Sequence, residues 1–209
     1  VLYITCEMSE EKIAERIDAN LLNTNIQDVA QMPYDTFCRK IDNLTRKVAS
    51  GKLIVKEYPT AVANANHFRH LLNELSLKKN FRPDVIYIDY LNICSSSRIK
   101  AGSGANSYTL IKSIAEELRG LAVENNVPIM SATQTTRSGY NSSDVELTDT
   151  SESFGLPATA DLMFALIATE ELEELNQVLV KQLKNRYNDL NNYKRFVIGI
   201  DRPKMRLYD

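Results

Sequence analysis

The sequence has no hydrophobic run of about 18 residues or more, the least that a membrane-spanning helix requires. Its apolar first residues, 1–4, are too few for the core of a signal peptide. These absences predict a soluble protein. The 209 residues, 44% of them hydrophobic and 25% charged, suffice for one globular domain with a sizeable core.

Paired cysteines and an excess of positive charge are also missing. Cys6, Cys38 and Cys94 are odd in number and lack the spacing of a zinc site or a disulfide framework, which predicts packing roles in a reducing cytosol. The net charge of -2 argues against a protein coated in positive charge. Any contact with nucleic acid is therefore expected in loops or along one channel.

Strand and helix patterns alternate along the chain. The predicted strands are 1–4, 53–55, 85–88, 127–130 and 161–168, followed by 177–184, 195–201 and 205–208. The predicted helices are marked by a Ser9 N-cap with Ile13, Ile17 and Leu21, by Phe37, Ile41, Leu44 and Val48, by Phe68, Leu71, Leu72 and Leu75, and by Leu110, Ile111, Ile114, Leu118 and Leu121. This order predicts an α/β fold with a mainly parallel, doubly wound sheet and a β-rich carboxyl-terminal end. The nearly continuous apolar run at 85–88 predicts a strand covered on both faces.

Polar residues just after apolar strands are the first candidates for chemistry, because ligands of parallel α/β sheets bind at the carboxyl ends of the strands. Asp89 has the form of a Walker B acid that holds Mg²⁺, although a cap of the next segment is the competing interpretation. Glu7 could deprotonate an attacking water. The competing interpretation is that its negative charge interacts favourably with the dipole at the amino-terminal end of the following helix. Gln134 could sense a γ-phosphate, or be an unremarkable exposed glutamine.

Three segments, in order, carry a resemblance to a known family. DnaB-type replicative helicases have a first-helix motif similar to ITCEMSEEKIAERI, a Walker B strand similar to VIYIDYLNI, and a sensor strand and loop similar to VENNVPIMSATQTTRS. The T-even phage members in particular have segments that resemble NICSSSRIKAGSGANSYTLIKSIAEELRGLA, SSDVELTDTSESFGLPATADLMFAL and VKQLKNRYNDLNNYKRF. The resemblance therefore extends over almost the whole chain.

The resemblance implies a RecA-like ATPase domain, present in part as residues 1–209, that assembles as a homo-hexamer around single-stranded DNA. It implies ATP and Mg²⁺ as cofactors, movement in the 5′-to-3′ direction, and a primase and a helicase loader as partners. The setting would be the host cytoplasm if the protein is phage-encoded. By the same resemblance, Glu7 is the catalytic base, Asp89 the Mg²⁺-associated acid and Gln134 the sensor.

The resemblance also assigns charged residues elsewhere. Lys184 and Arg186, in LKNRY, match a pair that reaches into the ATP site of the neighbouring subunit, where a guanidinium stabilises transition-state charge. A solvated strand end is the competing interpretation. The polar loops at 95–107 and 135–148 match the DNA-facing loops of the family, and Arg98, Lys100 and Arg137 are the expected phosphate contacts. Plain surface loops are the alternative.

The chain departs from the family mainly by lacking the phosphate-binding loop. The pattern Gly-x-x-x-x-Gly-Lys-Ser/Thr is absent from all 209 residues, so tight triphosphate binding has no obvious source. The family would place this loop and its strand just before Val1, which makes truncation the expectation. Two smaller departures are Ser151-Glu152-Ser153-Phe154, where bacterial members have Arg-Glu-Ser-Gly, and Tyr187-Asn188-Asp189 after Arg186, where they have Asn-Gly.

Two other functions stay open on the sequence. A RecA-type recombinase-like ATPase would share the sheet and the Walker B acid. A non-catalytic RecA-like interaction module would need no phosphate-binding loop. The EMSEE start, the Ser-rich loop and the KNR tail favour the helicase.

Overall fold

The computed structural model describes residues 1–47, 51–100, 104–135, 145–147 and 155–209. The strands are β1 (Leu2–Thr5), β2 (Ile54–Glu57), β3 (Ile86–Asp89), β4 (Ile129–Ser131), β5 (Leu162–Ile167), β6 (Gln177–Asn185), β7 (Arg195–Asp201) and β8 (Arg206–Tyr208). The helices are α1 (Glu10–Leu21), α2 (Ile26–Ala30), α3 (Tyr34–Lys47), α4 (Ala65–Lys79), α5 (Ser107–Asn125), α6 (Gly155–Thr159) and α7 (Glu170–Glu174). Short 3₁₀ turns lie at Leu91–Ile93 and Arg202–Lys204.

The first four strands form a parallel sheet in the order β2-β1-β3-β4. Its main core combines Leu2, Ile4, Ile86 and Ile88 of the strands with Phe68, Leu71, Leu72 and Leu75 of α4 and Ile111, Ile114, Leu118 and Leu121 of α5. Because all four strands run in the same direction, their carboxyl ends share one edge of the sheet. Residues that follow these strands are brought together at that edge.

The last four strands form a second, antiparallel sheet in the order β5-β6-β7-β8. A smaller core of Val145, Ala165, Ile167 and Leu183 lies against it. Lys181 is buried there, 3% exposed, and its Nζ donates to the Val145 carbonyl oxygen at 2.8 Å. A buried ammonium needs such an acceptor, because desolvation without one is costly.

The predicted α/β order, with a mainly parallel sheet and a β-rich end, is confirmed. Ser9 is the N-cap of α1, and its Oγ accepts a hydrogen bond from the Lys12 N–H at 3.3 Å. The sequence prediction missed α2, α6 and α7, which have five residues each and are too short to show a helical stripe. Val48, predicted to continue the stripe of α3, lies outside the described residues.

The prediction that β3 is covered on both faces is wrong for the described part of the chain. Tyr3, Tyr87 and Met130 are in register across β1, β3 and β4 on the face away from the main core. Tyr87 is 37% exposed and Met130 is 51% exposed, and the rings of Tyr3 and Tyr87 stack with centroids 6.1 Å apart. A run of apolar residues cannot distinguish a side chain covered by a helix from one that stacks at a partly open face.

Two of the three cysteines are buried. Cys6 and Cys94 are free thiols buried in the main core, which confirms the packing role predicted for them, whereas Cys38 is partly exposed on α3. Among the described residues, none of the helices has both the length and the apolar character that crossing a membrane would require.

Phe68→Ala is expected to lower the free energy of unfolding by about 3–5 kcal/mol, because it leaves a cavity at the centre of the main core. Phe68 is 0% exposed and is one of the largest fully buried side chains. Leu77→Ala, on the same helix but 86% exposed, is the matched control and should change stability by no more than about 0.5 kcal/mol. Urea denaturation measures both, and equal losses in the two variants would contradict this account of the core.

Candidate functional site at the carboxyl edge of the parallel sheet

The residues singled out after the strands all lie at the carboxyl edge of the parallel sheet. Glu7 follows β1, Asp89 is the last residue of β3, and Gln134 follows β4. The strands involved are neighbours, and the Cys6 N–H donates to the Asp89 carbonyl oxygen at 2.7 Å just past the regular pairing of β1 and β3. The structure therefore brings two carboxylates and an amide to one edge of one sheet.

Asp89 is oriented by a tyrosine that the sequence did not point to. The hydroxyl of Tyr3 donates to Asp89 Oδ2 at 2.9 Å from the neighbouring strand. Burial raises the pKa of the Tyr3 phenol, and the hydrogen bond to Asp89 raises it further. Tyr3 therefore stays a protonated donor at neutral pH and holds one oxygen of the carboxylate in place.

Glu7 lies on a braced turn between β1 and α1. The Met8 N–H donates to Thr5 Oγ1 at 3.0 Å, and the Thr60 hydroxyl donates to the Cys6 carbonyl oxygen at 2.7 Å. Glu7 itself is exposed. The turn thus fixes the backbone on both sides of Glu7 while its carboxylate faces solvent.

Glu10, at the start of α1, has a structural role near the sheet edge. Its Oε1 accepts from the Glu57 N–H at 3.0 Å and from Lys56 Nζ at 3.2 Å, so it ties α1 to β2. The backbone hydrogen bond from Glu57 is the main cause that holds the pKa of Glu10 below its usual value. Glu10 thus connects α1 to β2 and Ser9 caps α1, whereas Glu7 is an exposed acid at the sheet edge.

Gln134 is tied to the segment that follows Asp89. Its Nε2 donates to the Tyr90 hydroxyl oxygen at 3.1 Å. One residue earlier, Thr133 Oγ1 donates to Asn92 Oδ1 at 2.8 Å. These two hydrogen bonds connect the segment after β4 to the segment after β3.

Lys184 and Arg186, at the end of β6, belong to a cation cluster around one carboxylate. Asp161 accepts from Arg186 Nη1 at 2.9 Å and from Arg119 Nη1 at 2.8 Å, through different oxygens. The carbonyl oxygen of Ala158 accepts from Arg186 Nη2 at 2.8 Å and from Lys184 Nζ at 3.3 Å. The hydrogen bond from Arg119 is the main cause that lowers the pKa of Asp161, and burial lowers the pKa of Lys184. Within the described part of the chain, no hydrogen bond or ion pair joins this cluster to the residues at the sheet edge.

The residues expected to contact DNA are only partly described. Arg98 and Lys100 are exposed, and Arg98 Nη1 donates to Glu116 Oε2 at 3.1 Å. Arg137 lies outside the described residues, as does the segment 151–154 that departs from the family. The role of the two described cations as phosphate contacts stays a prediction.

Asp89 is chemically suited to Mg²⁺, but the described residues do not supply a complete set of ligands for it. Among them, no three His, Cys, Asp or Glu side chains are grouped so as to hold a metal ion. In nucleotide sites Mg²⁺ takes only one or two carboxylates and completes its shell with water and phosphate oxygens. Asp89 alone therefore fits a Mg²⁺ ion that is bound together with a nucleotide. The backbone cradle for the phosphates is not among the 209 residues.

Residues that orient the candidate site were missed by sequence reasoning. Tyr3 sits inside the first strand and carried no signal of its own. Arg119 lies within α5, and the sequence did not distinguish it from the other charged residues of that helix. Asp161 had a usable signal, since an acid stands at the start of the apolar run 161–168. Their partners are 86 and 42 residues away in the chain, which no local pattern spans.

The chain is similar in sequence to replicative helicases. The family model described as "DnaB-like helicase C terminal domain" matches residues 1–197. The DnaB-like replicative helicase of Enterobacteria phage T4 is 50% identical over 208 residues, covering 99% of this chain and 44% of that protein. The probable plasmid replicative DNA helicase of Chlamydia trachomatis serovar L2 is 31% identical over 137 residues, covering 65% and 28%. The chain thus spans less than half the length of these curated relatives.

The fold is similar to that of solved ATPase and helicase structures. One solved structure, described as an ATPase domain, superposes with a TM-score of 0.79 at 17% identity, covering 100% of this chain and 74% of that one. A DnaB-like replicative helicase, studied with its interactions with primase, superposes with a TM-score of 0.77 at 17% identity, covering 99% and 49%. At such identity the likeness establishes a shared fold.

Proposed function

This chain belongs to the DnaB-like helicase C-terminal domain family, and we propose that it is the motor part of a replicative DNA helicase. Its reaction would couple ATP hydrolysis to translocation on single-stranded DNA and to duplex unwinding. The observation that carries the proposal is the presence of Glu7, Asp89 and Gln134 at one edge of three neighbouring parallel strands. That edge is where α/β sheets bind their ligands.

Each residue at the edge has a role in the proposal. Magnesium-bound ATP, when present, supplies the phosphoryl group that is transferred to water. Asp89, held by Tyr3, would associate with the metal ion. Glu7, exposed on its braced turn, would orient the attacking water and accept its proton. Gln134 would hydrogen-bond the γ-phosphate and pass its presence or absence to the segment after β3.

Lys184 and Arg186 would act on the ATP site of a neighbouring subunit. They are exposed or half-buried at the end of β6. Within the described residues, their side chains donate to Asp161 and to the carbonyl oxygens of Pro157 and Ala158, and not to the residues at the sheet edge. A pair that serves a neighbour requires head-to-tail interfaces, and such interfaces form a ring where the rotation between subunits closes. We therefore propose a homo-hexamer that encircles single-stranded DNA.

Arg98, Lys100 and Arg137 would contact the DNA phosphates. Binding that is independent of sequence needs positive charge along the strand more than base recognition, and a few local cations are compatible with the overall charge of -2. Movement in the 5′-to-3′ direction, partners of the primase and loader classes, and a cytoplasmic setting belong to the same proposal.

The proposal is tested by comparing the 209-residue chain with a version joined upstream of Val1 to a strand and loop of the form Gly-x-x-x-x-Gly-Lys-Ser/Thr. The chain alone should hydrolyse little or no ATP, because the edge residues cannot replace the missing cradle. The joined version should hydrolyse ATP faster with single-stranded DNA and unwind a duplex that has a 5′ single-stranded tail. Steady-state ATPase and strand-displacement assays measure both. Robust hydrolysis by the chain alone contradicts the stated need for the loop, and joined rings without hydrolysis would favour the non-catalytic module.

A further inference from the structure

A buried carboxylate outside the proposed ATP site holds the start of the loop that follows β3. Glu117, on α5, is only 7% exposed. Its Oε1 accepts from the Ser96 hydroxyl at 2.5 Å and from the Ser113 hydroxyl at 3.3 Å. Its Oε2 accepts from the Ser97 hydroxyl at 2.6 Å and from the Ser97 N–H at 2.9 Å. Both oxygens are thus used, as a buried charge requires.

The network continues from Glu117 to the backbone of the loop. Ser96 Oγ accepts from the N–H groups of Arg98 and Ile99, each at 3.1 Å. On the other side, the Ser95 N–H donates to the Ala63 carbonyl oxygen at 2.7 Å. The backbone from Ser95 to Ile99 is therefore held by side chains and by the segment before α4, although it contains no regular helix or strand. Arg98 is fixed at its base while its side chain is exposed.

The charged state of Glu117 suits this role. Burial by itself would raise the pKa of the carboxyl group, but the hydrogen bonds from Ser96, Ser97 and Ser113 outweigh it and leave the pKa below its usual value. An ionised carboxylate accepts stronger hydrogen bonds than a neutral group of the same shape. The Glu117→Gln change would replace one acceptor oxygen with a donor that meets other donors.

The preceding residue acts on the same loop in a different way. Glu116 is exposed enough to reach solvent, and its carboxylate pairs with the Arg98 guanidinium at 3.1 Å and with Lys112 at 3.9 Å. Glu117 thus holds the backbone at Arg98, whereas Glu116 neutralises the charge of its side chain. A phosphate that binds Arg98 would have to displace Glu116 or bind the remaining N–H donors beside its negative charge.

We propose that Glu117 is a positioning residue for DNA: it fixes residues 95–99 so that Arg98 is presented to a phosphate, and Glu116 competes with that phosphate. The inference rests on the proposed function, because it takes this loop to be a DNA contact. It adds Glu117 to the residues on which DNA affinity depends. This buried residue acts through the loop and does not touch DNA.

The test measures binding of fluorescent oligo-dT by anisotropy over a salt series, using the full natural protein with whatever segments flank these residues. Glu117→Gln should weaken binding about tenfold, because fewer molecules hold the loop in its binding conformation. Glu116→Gln, the matched control next to it, should bind at least as tightly as the parent. Arg98→Ala should weaken binding and reduce the salt slope by about one ion.

A double-mutant cycle separates positioning from a general structural effect. If Glu117 acts through Arg98, Glu117→Gln should add little to Arg98→Ala, so the effects should be clearly non-additive. Amide hydrogen exchange at residues 95–99 should be faster in Glu117→Gln than in the parent. If Glu117→Gln does not fold, Ser97→Ala, which removes one donor at the exposed end of the network, should give a smaller loss and enters the same cycle.

The outcomes distinguish this inference from the proposed function. Faster exchange at 95–99 with unchanged DNA affinity, or additive effects in the cycle, would overturn the positioning role and leave the helicase proposal intact. Unchanged DNA affinity in the Arg98→Ala, Lys100→Ala double variant would instead remove this loop from the proposed DNA contact.

Discussion

Arg186→Ala is expected to lower ATP hydrolysis by about 10³- to 10⁵-fold in a ring-forming version that carries a phosphate-binding loop upstream of Val1. A guanidinium supplied by a neighbour stabilises charge that develops only in the transition state, so its removal slows the chemical step. Nucleotide affinity within each subunit should stay nearly unchanged, since ground-state binding does not depend on the neighbour's arginine. Steady-state turnover and equilibrium binding of a fluorescent nucleotide measure the two quantities separately.

The structure indicates that this variant should still fold. Asp161 keeps its ion pair with Arg119 at 2.8 Å after Arg186 is removed, so its carboxylate is not left without a partner. The lost pair is half-exposed, and such pairs contribute only about 0–1 kcal/mol. Arg202→Ala is a suitable control, because Arg202 also forms an exposed ion pair near the antiparallel sheet, with Glu173 at 3.3 Å. Its hydrolysis rate should match that of the parent.

Mixed rings test whether Arg186 acts across a subunit boundary. Arg186→Ala subunits keep Glu7, and Glu7→Gln subunits keep the arginine. In rings assembled at random from equal amounts of the two variants, about one interface in four should therefore combine an intact base with an intact arginine. Two inactive variants should then restore activity together. If mixing restores nothing, or if Arg186→Ala weakens binding and hydrolysis equally in a monomeric preparation, Arg186 works within its own subunit or is structural.

Glu7→Gln is expected to lower turnover by about 10²- to 10⁴-fold in the same ring-forming version, with ATP binding retained. The amide has nearly the size of the carboxylate but cannot accept the proton of the attacking water. The turn around it is held by Thr5, Met8 and Thr60 and does not depend on the Glu7 side chain, so the fold should be unaffected. Single-turnover hydrolysis and nucleotide binding measure the two effects.

The control for Glu7→Gln is Glu11→Gln, because Glu11 is also an exposed acid and lies in the first turn of α1. It should leave turnover unchanged, because Glu11 lies within the helix and not at the sheet edge. Equal losses in the two variants would show that charge near α1, and not a base at Glu7, supports hydrolysis.

The sequence by itself determined the kind and order of the main elements and where chemistry should be sought. The stripe of Phe68, Leu71, Leu72 and Leu75 marked α4, and all four side chains are buried. The rule that ligands bind at the carboxyl ends of parallel strands sufficed to group Glu7, Asp89 and Gln134. Helix periodicity, capping and strand ends are set within a few residues of chain, so they can be read without coordinates. Family membership followed from longer motifs and is confirmed by the match over residues 1–197.

Only the tertiary structure decided which side chains hold the candidate groups in place. It paired Tyr3 with Asp89, Arg119 with Asp161, and Ser97 with Glu117, across 86, 42 and 20 residues of chain. It also showed that Tyr87 lies on a partly open face, although residues 85–88 form a nearly continuous apolar run. These contacts depend on which strands become neighbours and how α5 packs on the sheet. A polar residue inside a helix or strand has the same local pattern whether its partner is solvent or a carboxylate on a distant segment.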